Sequence, residues 1–361
     1  MDLILTDEQS LLRDSAATFA GRRGGAARLR ELRGAESKID RARWREAADA
    51  GWLAILADED AGGLGLGLTE MCLVAQELGK GLVPEPVAAA AAVARALGAG
   101  DIATGALSGE RLVLPALMEG ARTVGDEPPA LTAEETGGGA MTVDGVKTGV
   151  AGAADADGYL ISGMAAEGLV LMYAEREAAE ILSADLVDGS AAGTLTFATT
   201  GAVLVAGANE APAALAGLLD ALYLSTAAEL LGVMEKAHEI TVEYLKVREQ
   251  FGRPIGSFQA LQHRAVDNLA AIEMSRSLIY QAASALDAGG GAPGLASAAL
   301  SRASKSALDV AKSAIQMHGG IGFTDEHDIG LYLKRAMALS SRYGNAGLHR
   351  KRYAEFAELH D

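Results

Sequence analysis

Apolar residues recur at helical spacing in the first and last parts of the chain. Near the N-terminus, Thr6 and Gln9 form a capping-box pattern ahead of an amphipathic helix. Residues 230–251 place apolar side chains at alternating spacings of three and four, which is typical of a helix in an antiparallel bundle. These positions are Leu230, Val233, Ala237, Ile240, Tyr244, Val247 and Phe251. Two further long helical patterns cover residues 258–287 and 295–316, and with a shorter last helix they predict a four-helix bundle.

The middle of the chain, residues 111–207, changes to short runs of β-prone residues. The runs are RLVLP, GAMTV, GYLIS, GLVLMY, GTLTFA and AVLVA. The pairs Asp144-Gly145 and Asp157-Gly158 are turn signals between or beside these runs. We therefore expect a small antiparallel β domain in this part of the chain.

These changes of pattern predict a mainly α protein with a small β domain, divided into three parts. An N-terminal helical domain covers residues 1–110, and a reduced β domain covers residues 111–207. A C-terminal four-helix bundle covers residues 208–361. No internal repeat is evident along the chain.

Composition and charge exclude several classes of function. Half of the 361 residues are apolar but only 4% are aromatic, which favours close-packed helices. The formal net charge of −17 argues against binding to nucleic acid or to anionic membranes. The apolar tract AAAAAVARALGAG is too short and too interrupted to span a bilayer. A single cysteine, Cys72, and an N-terminus without a secretory pattern predict a cytoplasmic protein without internal disulfides.

No metal site is expected, because the histidines do not have metal-ligand spacing. We interpret His238, His263, His327 and His349 as surface or capping residues.

The segment VREQFGRPIGSFQALQHR, residues 247–264, is the first candidate for chemistry. Arg248 offers a planar guanidinium that can bind a phosphate in bidentate fashion, and Gln259 offers an amide donor and acceptor. Taken singly, Arg248 could equally form a surface ion pair, and Gln259 could cap a helix.

The segment IQMHGGIGFTDEHD, residues 315–328, is the second candidate. Gln316 lies near the end of a predicted helix, and Gly319 and Gly320 follow. These glycines could form a helix C-cap, or they could let a bulky cofactor approach the backbone.

On this layout of helices, small β domain and bundle, the chain resembles the acyl-CoA dehydrogenases, flavoenzymes that desaturate acyl-CoA thioesters. REQFGRPIGSFQ and QMHGGIGF are similar to the two most specific motifs of that family, ELGKGLVPEP is also family-like, and the resemblance covers nearly the whole chain. It implies FAD as cofactor, an acyl-CoA substrate and electron-transfer flavoprotein as electron acceptor. It also implies that both motifs contact the FAD of a dimer mate, through Arg248, Phe251, Gln259, Gln316, Met317, His318, Gly319 and Gly320.

Desaturation needs a carboxylate base near the substrate α-carbon. The resemblance places this base at the position of Tyr343, or on the first long bundle helix at the position of Leu222. Asp220 is two residues from Leu222, which puts it on a different face of the helix. Tyr343 is a poor base at neutral pH, because the unperturbed pKa of tyrosine is about 10. We therefore expect this chain to lack the usual catalytic glutamate.

The residues that contact the flavin ring in the family are also altered. Met118 stands at the position of the family's threonine, and Gly149 stands at the position of its tryptophan. The motifs that face the mate's cofactor keep the family's residues. The two segments that would contact the chain's own flavin ring, here called the flavin wall, have lost them at Met118 and Gly149. We therefore expect an α2β2 heteromer, in which a homologous catalytic subunit carries the base and the wall. The chain resembles the subunits of the family's bacterial two-subunit enzymes of steroid side-chain breakdown.

Two alternatives stay open at this point. One is a homomeric flavoenzyme of the same fold with altered chemistry, such as an oxidase or monooxygenase, which would need an intact flavin wall. The other is a non-catalytic scaffold without cofactor, which would have no reason to keep Arg248, Gln259 and Gln316.

Overall fold

The computed structural model describes residues 4–22, 25–120, 127–289 and 294–358, and the chain divides into two compact units. The bundle unit consists of Met1–Arg30, Leu68–Val83 and Tyr223–Asp361. The sheet unit consists of Glu31–Gly67 and Pro84–Leu222. This two-part division differs from the predicted division at residues 110 and 207, because stretches of the N-terminal helical region belong to each unit. The three-domain division stays a prediction.

The helices and the sheet confirm the predicted fold class, since helices precede and follow a middle sheet. The helices within the described residues are α1 (Asp7–Gly21), α2 (Ala26–Leu32), α3 (Arg41–Asp49), α4 (Leu68–Lys80), α5 (Val87–Leu97), α6 (Asp101–Leu107), α7 (Ala211–Val247), α8 (Gln259–Asp287), α9 (Leu295–His318), α10 (Ile329–Ser341) and α11 (Ala346–Glu358). α8 and α9 are the two long helices predicted at residues 258–287 and 295–316. α10 is the predicted shorter helix, and α11 is an addition to the predicted four.

Local signals fix the ends of α1 and α7. Thr6 Oγ1 accepts a hydrogen bond from the Gln9 amide at 3.2 Å, and Gln9 Oε1 accepts one from the Thr6 amide at 3.1 Å, so the capping box is confirmed. α7 ends at Val247, so the prediction that its apolar seam continues to Phe251 is wrong. The chain turns at Phe251 and Gly252, whose φ angles of 54° and 77° are incompatible with a right-handed helix.

Within the bundle unit, α4 and α7 touch through their backbones. A Cβ atom added to Gly232 would lie 1.9 Å from the carbonyl oxygen of Gln76, and one added to Gly79 would lie 2.2 Å from that of Glu229. Real side-chain atoms do not approach so closely, so only glycine allows this crossing. The two helices therefore pack without intervening side chains at this point.

A polar network holds α4, α7 and α8 together beside this crossing. Glu235 on α7 accepts hydrogen bonds from Gln76 Nε2 at 2.8 and 2.9 Å. It also pairs with Lys80 at 3.1 Å and with Arg276 at 2.5 Å. Tyr280 on α8 donates to Gln76 Oε1 at 2.6 Å. Because three cationic or amide groups share one carboxylate, the network satisfies polar atoms that α4 and α7 would otherwise bury unpaired.

Within the described residues, one helix, α7, is long and apolar enough to cross a bilayer by length and composition alone. However, 72% of its apolar window is buried inside the protein, as in the central helix of a bundle. This is weak evidence for a membrane span, and the absence of a membrane partner stays a prediction.

The sheet unit contains a seven-stranded, mainly antiparallel sheet. Its strands are β1 (Val113–Ala116), β2 (Thr132–Gly137), β3 (Ala140–Ala151), β4 (Gly158–Ala165), β5 (Gly168–Glu175), β6 (Glu180–Asp185) and β7 (Ala191–Ala206). The strand order is β1-β4-β2-β3-β7-β5, a further β4–β5 pairing closes the path, and β6 pairs with β7. β1 and β2 pair with β4 in parallel, and the other pairings are antiparallel. The bundle unit adds a small hairpin of β8 (Glu249–Gln250) and β9 (Arg253–Pro254).

Two sequence expectations in this region are wrong. Asp144-Gly145 does not turn the chain but lies inside β3 at a bulge. Gly145 has a φ of 143°, and an added Cβ would lie 2.9 Å from Leu131 Cα, so the residue serves a close backbone approach. The runs GTLTFA and AVLVA form the single long strand β7, because β3, β5 and β6 all pair along it.

The glycine contact between α4 and α7 predicts that Gly232→Ala lowers stability. The added methyl group has no space, and overpacking of this kind costs about 1–3 kcal/mol. We expect a clear fall in the apparent melting temperature of the purified chain, measured by circular dichroism. Gly217→Ala on the same helix is the control, because an added Cβ there meets nothing within 4 Å. Equal melting temperatures for the two variants would contradict the close crossing.

Candidate cofactor-binding site

The first motif forms the end of α7 and the hairpin that follows it. The Arg248 amide donates to the Tyr244 carbonyl at 2.9 Å, and the Ile255 amide donates to the Arg248 carbonyl at 2.8 Å. Phe251 and Gly252 form the two-residue loop between β8 and β9, and both have positive φ, as a type I′ turn requires. A phenylalanine in this left-handed region costs about 1–2 kcal/mol, which glycine would avoid. The hairpin therefore holds Phe251 in a specific, unfavourable conformation.

The side chains of this motif face solvent. The Arg248 side chain is exposed, and it makes no ion pair or hydrogen bond within the part of the chain that the structure describes. The alternative of a structural ion pair therefore has no partner among the described residues. Phe251 is 92% exposed and meets Phe258 edge to face, with ring centroids 6.0 Å apart. An exposed guanidinium and an exposed aromatic ring in one short segment suit an anionic ligand with a flat apolar part.

Gln259 is the first residue of α8 and is exposed. The helix cap is Phe258, which makes no side-chain capping bond, so the alternative of Gln259 as an N-terminal cap is wrong. Its amide is free to bind a ligand, since no hydrogen bond to it is found among the described residues.

The second motif ends α9. Gly319 is the C-cap with a φ of 67°, and its amide donates to the carbonyls of Gln316 and Ile315, which confirms the C-cap interpretation. The same glycines also leave the backbone accessible, because an added Cβ on Gly319 or Gly320 would meet nothing within 4 Å. Gln316 is exposed as well. The two interpretations of the glycines are therefore compatible.

Met317 and His318 differ from the other residues of this set. Both are buried in the bundle unit, with 3% and 4% of their surface exposed. Their side chains pack against this chain, so only their backbone is placed to meet a ligand at the surface.

The structure brings the two motifs to the same end of the bundle unit. The rings of Tyr244 and His318 stack with centroids 4.4 Å apart, and the Tyr244 hydroxyl donates to the His318 carbonyl at 3.4 Å. Arg248 and Gln316 make no hydrogen bond with each other. The sequence analysis missed the role of Tyr244, although the residue stands in the apolar seam of α7 as its only aromatic member before Phe251.

Neither candidate position for a base carries a carboxylate. Tyr343 is half-buried, and burial raises its pKa to about 12, so its hydroxyl stays protonated near neutral pH. In the bundle unit, the Tyr223 ring lies 6.2 Å from the Tyr343 ring and 4.7 Å from the His349 ring. In the sheet unit, Leu222 is completely buried and has no group that accepts a proton.

His349 corrects a sequence expectation, because it is completely buried instead of lying at the surface. Its Nε2 donates to the Tyr343 carbonyl at 3.2 Å, and its Nδ1 accepts from Ser297 Oγ at 3.3 Å. His327 agrees with the capping interpretation, since its Nδ1 accepts from the amide of Ile329 at the start of α10, at 3.2 Å.

No group of three or more metal-ligating side chains is found in the described residues.

The two altered segments of the sheet unit lie side by side. The Thr148 amide donates to the Met118 carbonyl at 2.8 Å. The completely buried Lys147 Nζ donates to Glu119 Oε1 at 2.5 Å and to Ser162 Oγ at 3.1 Å. The sequence analysis did not identify this ion pair, because Lys147 and Glu119 are 28 residues apart and meet only when the sheet forms. The pair fixes the backbone where the family's threonine and tryptophan would stand.

Comparison with known proteins agrees with this arrangement. Residues 6–120 match the acyl-CoA dehydrogenase N-terminal domain, and residues 213–357 match the acyl-CoA dehydrogenase C-terminal domain. The acyl-CoA dehydrogenase IpdE2 of Mycobacterium tuberculosis is 30% identical over 333 residues, covering 91% of each chain. Its namesake from Mycolicibacterium smegmatis is 31% identical over 335 residues, covering 92% of this chain and 93% of the relative.

Two solved structures of similar proteins cover nearly the whole chain. A variant of the Tcur3481–Tcur3483 steroid acyl-CoA dehydrogenase is 31% identical, covers 98% of both chains and has a TM-score of 0.90. The ChsE4–ChsE5 complex from Mycobacterium tuberculosis is 28% identical, covers 99% of both chains and has a TM-score of 0.88. The expected FAD cofactor agrees with these matches, because the matched family consists of flavoproteins. The chain belongs to the acyl-CoA dehydrogenase family.

Proposed function

We propose that this chain is a subunit of an FAD-dependent acyl-CoA dehydrogenase and completes the FAD site of a homologous catalytic subunit. One observation carries the proposal: the motif side chains of Arg248, Phe251 and Gln259 are exposed and available, whereas Tyr343 and Leu222 offer no base. The similarity to the Tcur3481–Tcur3483 enzyme and to the ChsE4–ChsE5 complex supports a partner of the same family.

FAD supplies a hydride acceptor in the desaturation of an acyl-CoA. In this proposal Arg248 binds the phosphates of the dinucleotide, for which its exposed guanidinium is suited. Gly319 and Gly320 let the cofactor lie against the backbone, and Gln259 and Gln316 supply amide groups at its edge. The partner supplies the carboxylate base, because the protonated hydroxyl of Tyr343 cannot remove the α-proton.

The proposed assembly is an α2β2 heteromer in the cytoplasm. Its substrate is an acyl-CoA thioester, and its electron acceptor is electron-transfer flavoprotein. The steroid acyl-CoA dehydrogenase among the similar structures favours a role in steroid or other lipid catabolism. The experiments below test this proposal against two alternatives. One is a homomeric oxidase or monooxygenase, and the other is a scaffold without cofactor.

We expect one FAD per pair of unlike subunits. This chain keeps the two motifs that would contact the partner's FAD, but it has altered residues where its own flavin ring would bind. The chain should be purified alone and together with its homologous partner. Flavin absorbance divided by protein mass then gives the ratio. A fully flavin-loaded oligomer of this chain alone would overturn the heteromer and favour the homomeric alternative.

Arg248→Ala should weaken FAD binding by the assembled complex about 10- to 100-fold, since a charge-assisted hydrogen bond contributes about 1.5–3 kcal/mol. The affinity is measured by titrating flavin-depleted complex and following flavin fluorescence. Arg350→Ala is the matched control, because Arg350 is also exposed but lies on α11. If both variants bind FAD as the unchanged protein does, Arg248 has no role in the site.

Tyr343→Phe should leave turnover nearly unchanged in an assay with a dye acceptor, because the hydroxyl is not the base. Loss of a general base lowers the rate about 10²–10⁴-fold, so the two outcomes are far apart. A collapse of turnover with flavin still bound would make this chain catalytic in its own right.

A further inference from the structure

Three aromatic side chains from three segments meet at the end of the bundle unit that carries the two motifs. Tyr244 comes from the last turn of α7, His318 is the last residue of α9, and His327 precedes α10. The His318 ring lies 4.4 Å from the Tyr244 ring, with an interplanar angle of 25°, and 4.5 Å from the His327 ring. The rings of Tyr244 and His327 meet edge to face at 6.0 Å. Aromatic pairs at these distances stabilise a fold by more than the burial of their surface area alone.

The hydrogen bond of the His318 ring sets its tautomer, and its burial disfavours the charged form. Its Nδ1 donates to the Ala314 carbonyl at 2.8 Å, because a carbonyl can only accept. In the neutral ring Nε2 is then the unprotonated nitrogen, and this buried atom has no hydrogen-bond partner among the described residues. Burial lowers the pKa of His318, since a proton on Nε2 would find no acceptor there. The ring therefore stacks on Tyr244 without a charge.

The third member of the cluster is anchored independently. His327 Nδ1 accepts from the Ile329 amide at 3.2 Å. The next residue, Asp328, pairs with Arg30 at 2.7 Å, and Arg30 also donates to the Asp325 carbonyl at 2.9 Å. The segment after the glycine turn is thus fixed on both sides of His327.

Each member of the stack is directly connected to a motif backbone. Tyr244 is in the last turn of α7, and its carbonyl accepts a hydrogen bond from the amide of Arg248, the first residue after the helix. His318 immediately precedes Gly319, and its carbonyl accepts the hydrogen bond of the Tyr244 hydroxyl. A shift between these two rings therefore shifts the hairpin against the glycine turn.

We propose that Tyr244 and His318, supported by His327, are positioning residues that hold the hairpin of Arg248 and the turn of Gly319 in register for FAD. This inference rests on the proposed function, because it concerns the affinity of that same site for its cofactor. The alternative is a contact that only stabilises the bundle. The two differ in one respect: a positioning contact changes FAD affinity more than its effect on folding explains.

The test compares two substitutions of Tyr244 in the assembled complex. Tyr244→Phe keeps the stacked ring and loses only a long hydroxyl contact, so FAD affinity should stay within about 2-fold. Tyr244→Leu removes the ring and should weaken FAD about 3- to 10-fold, as expected for loss of one aromatic pair. Affinity is measured by flavin titration, and the melting temperature of the flavin-free complex is measured beside it. Ile240→Ala, one turn earlier on α7 and also half-buried, is the control for general destabilisation.

A second variant keeps the test decisive if Tyr244→Leu does not fold. His318→Leu should weaken FAD to the same degree, and the variant with both changes should bind as weakly as either alone, since both remove one stack. Additive losses, or a loss that Ile240→Ala reproduces at equal melting temperature, would overturn the positioning role. If Arg248→Ala weakens FAD but Tyr244→Leu does not, this inference alone fails. If neither changes FAD affinity, the role of Arg248 in the proposed FAD site fails with it.

Discussion

The backbone contact between α4 and α7 at Gly79 and Gly232 is the constraint on which the bundle unit depends. It leaves no room for side chains at the crossing, so the residues on either side must satisfy the polar groups that the contact buries. Glu235 does so on one side through Gln76, Lys80 and Arg276. On the other side, Arg335 of α10 pairs with Glu229 and donates to the Val83 carbonyl at 3.3 Å. Ion pairs beside this one crossing thus connect it to two further helices, α8 and α10.

The same constraint sets the direction in which α7 reaches the site. From Gly232 the helix continues for four turns to Val247, and the hairpin carrying Arg248 and Phe251 begins where it ends. α9 ends beside it, at His318, where the stack with Tyr244 joins them. The exposed residues of the site are therefore supported by the adjacent stack of Tyr244 and His318, and loops alone do not set their position.

Much of the fold could be predicted because it depends on local signals. The capping box of Thr6, the C-cap at Gly319 and the amphipathic patterns of α8 and α9 all involve residues within a few positions of each other. Two of the errors occurred where a distant segment overrides a local signal. Asp144-Gly145 has the sequence of a turn, but pairing with β7 keeps it inside a strand. His349 is polar enough for the surface, but Ser297 and the Tyr343 carbonyl satisfy it in the interior.

The sequence by itself determined the family, the candidate motifs and the identity of the side chains at the base positions, because these depend on which residues are present and on their order. The tertiary structure alone decided which members of each motif face solvent. Gln316 is exposed while its neighbours Met317 and His318 are buried, and no local apolar pattern indicates that the polar His318 is buried. The reason is physical: the face of a helix that becomes buried depends on what packs against it. Here the packing partner, Tyr244, lies 74 residues away from His318 along the chain.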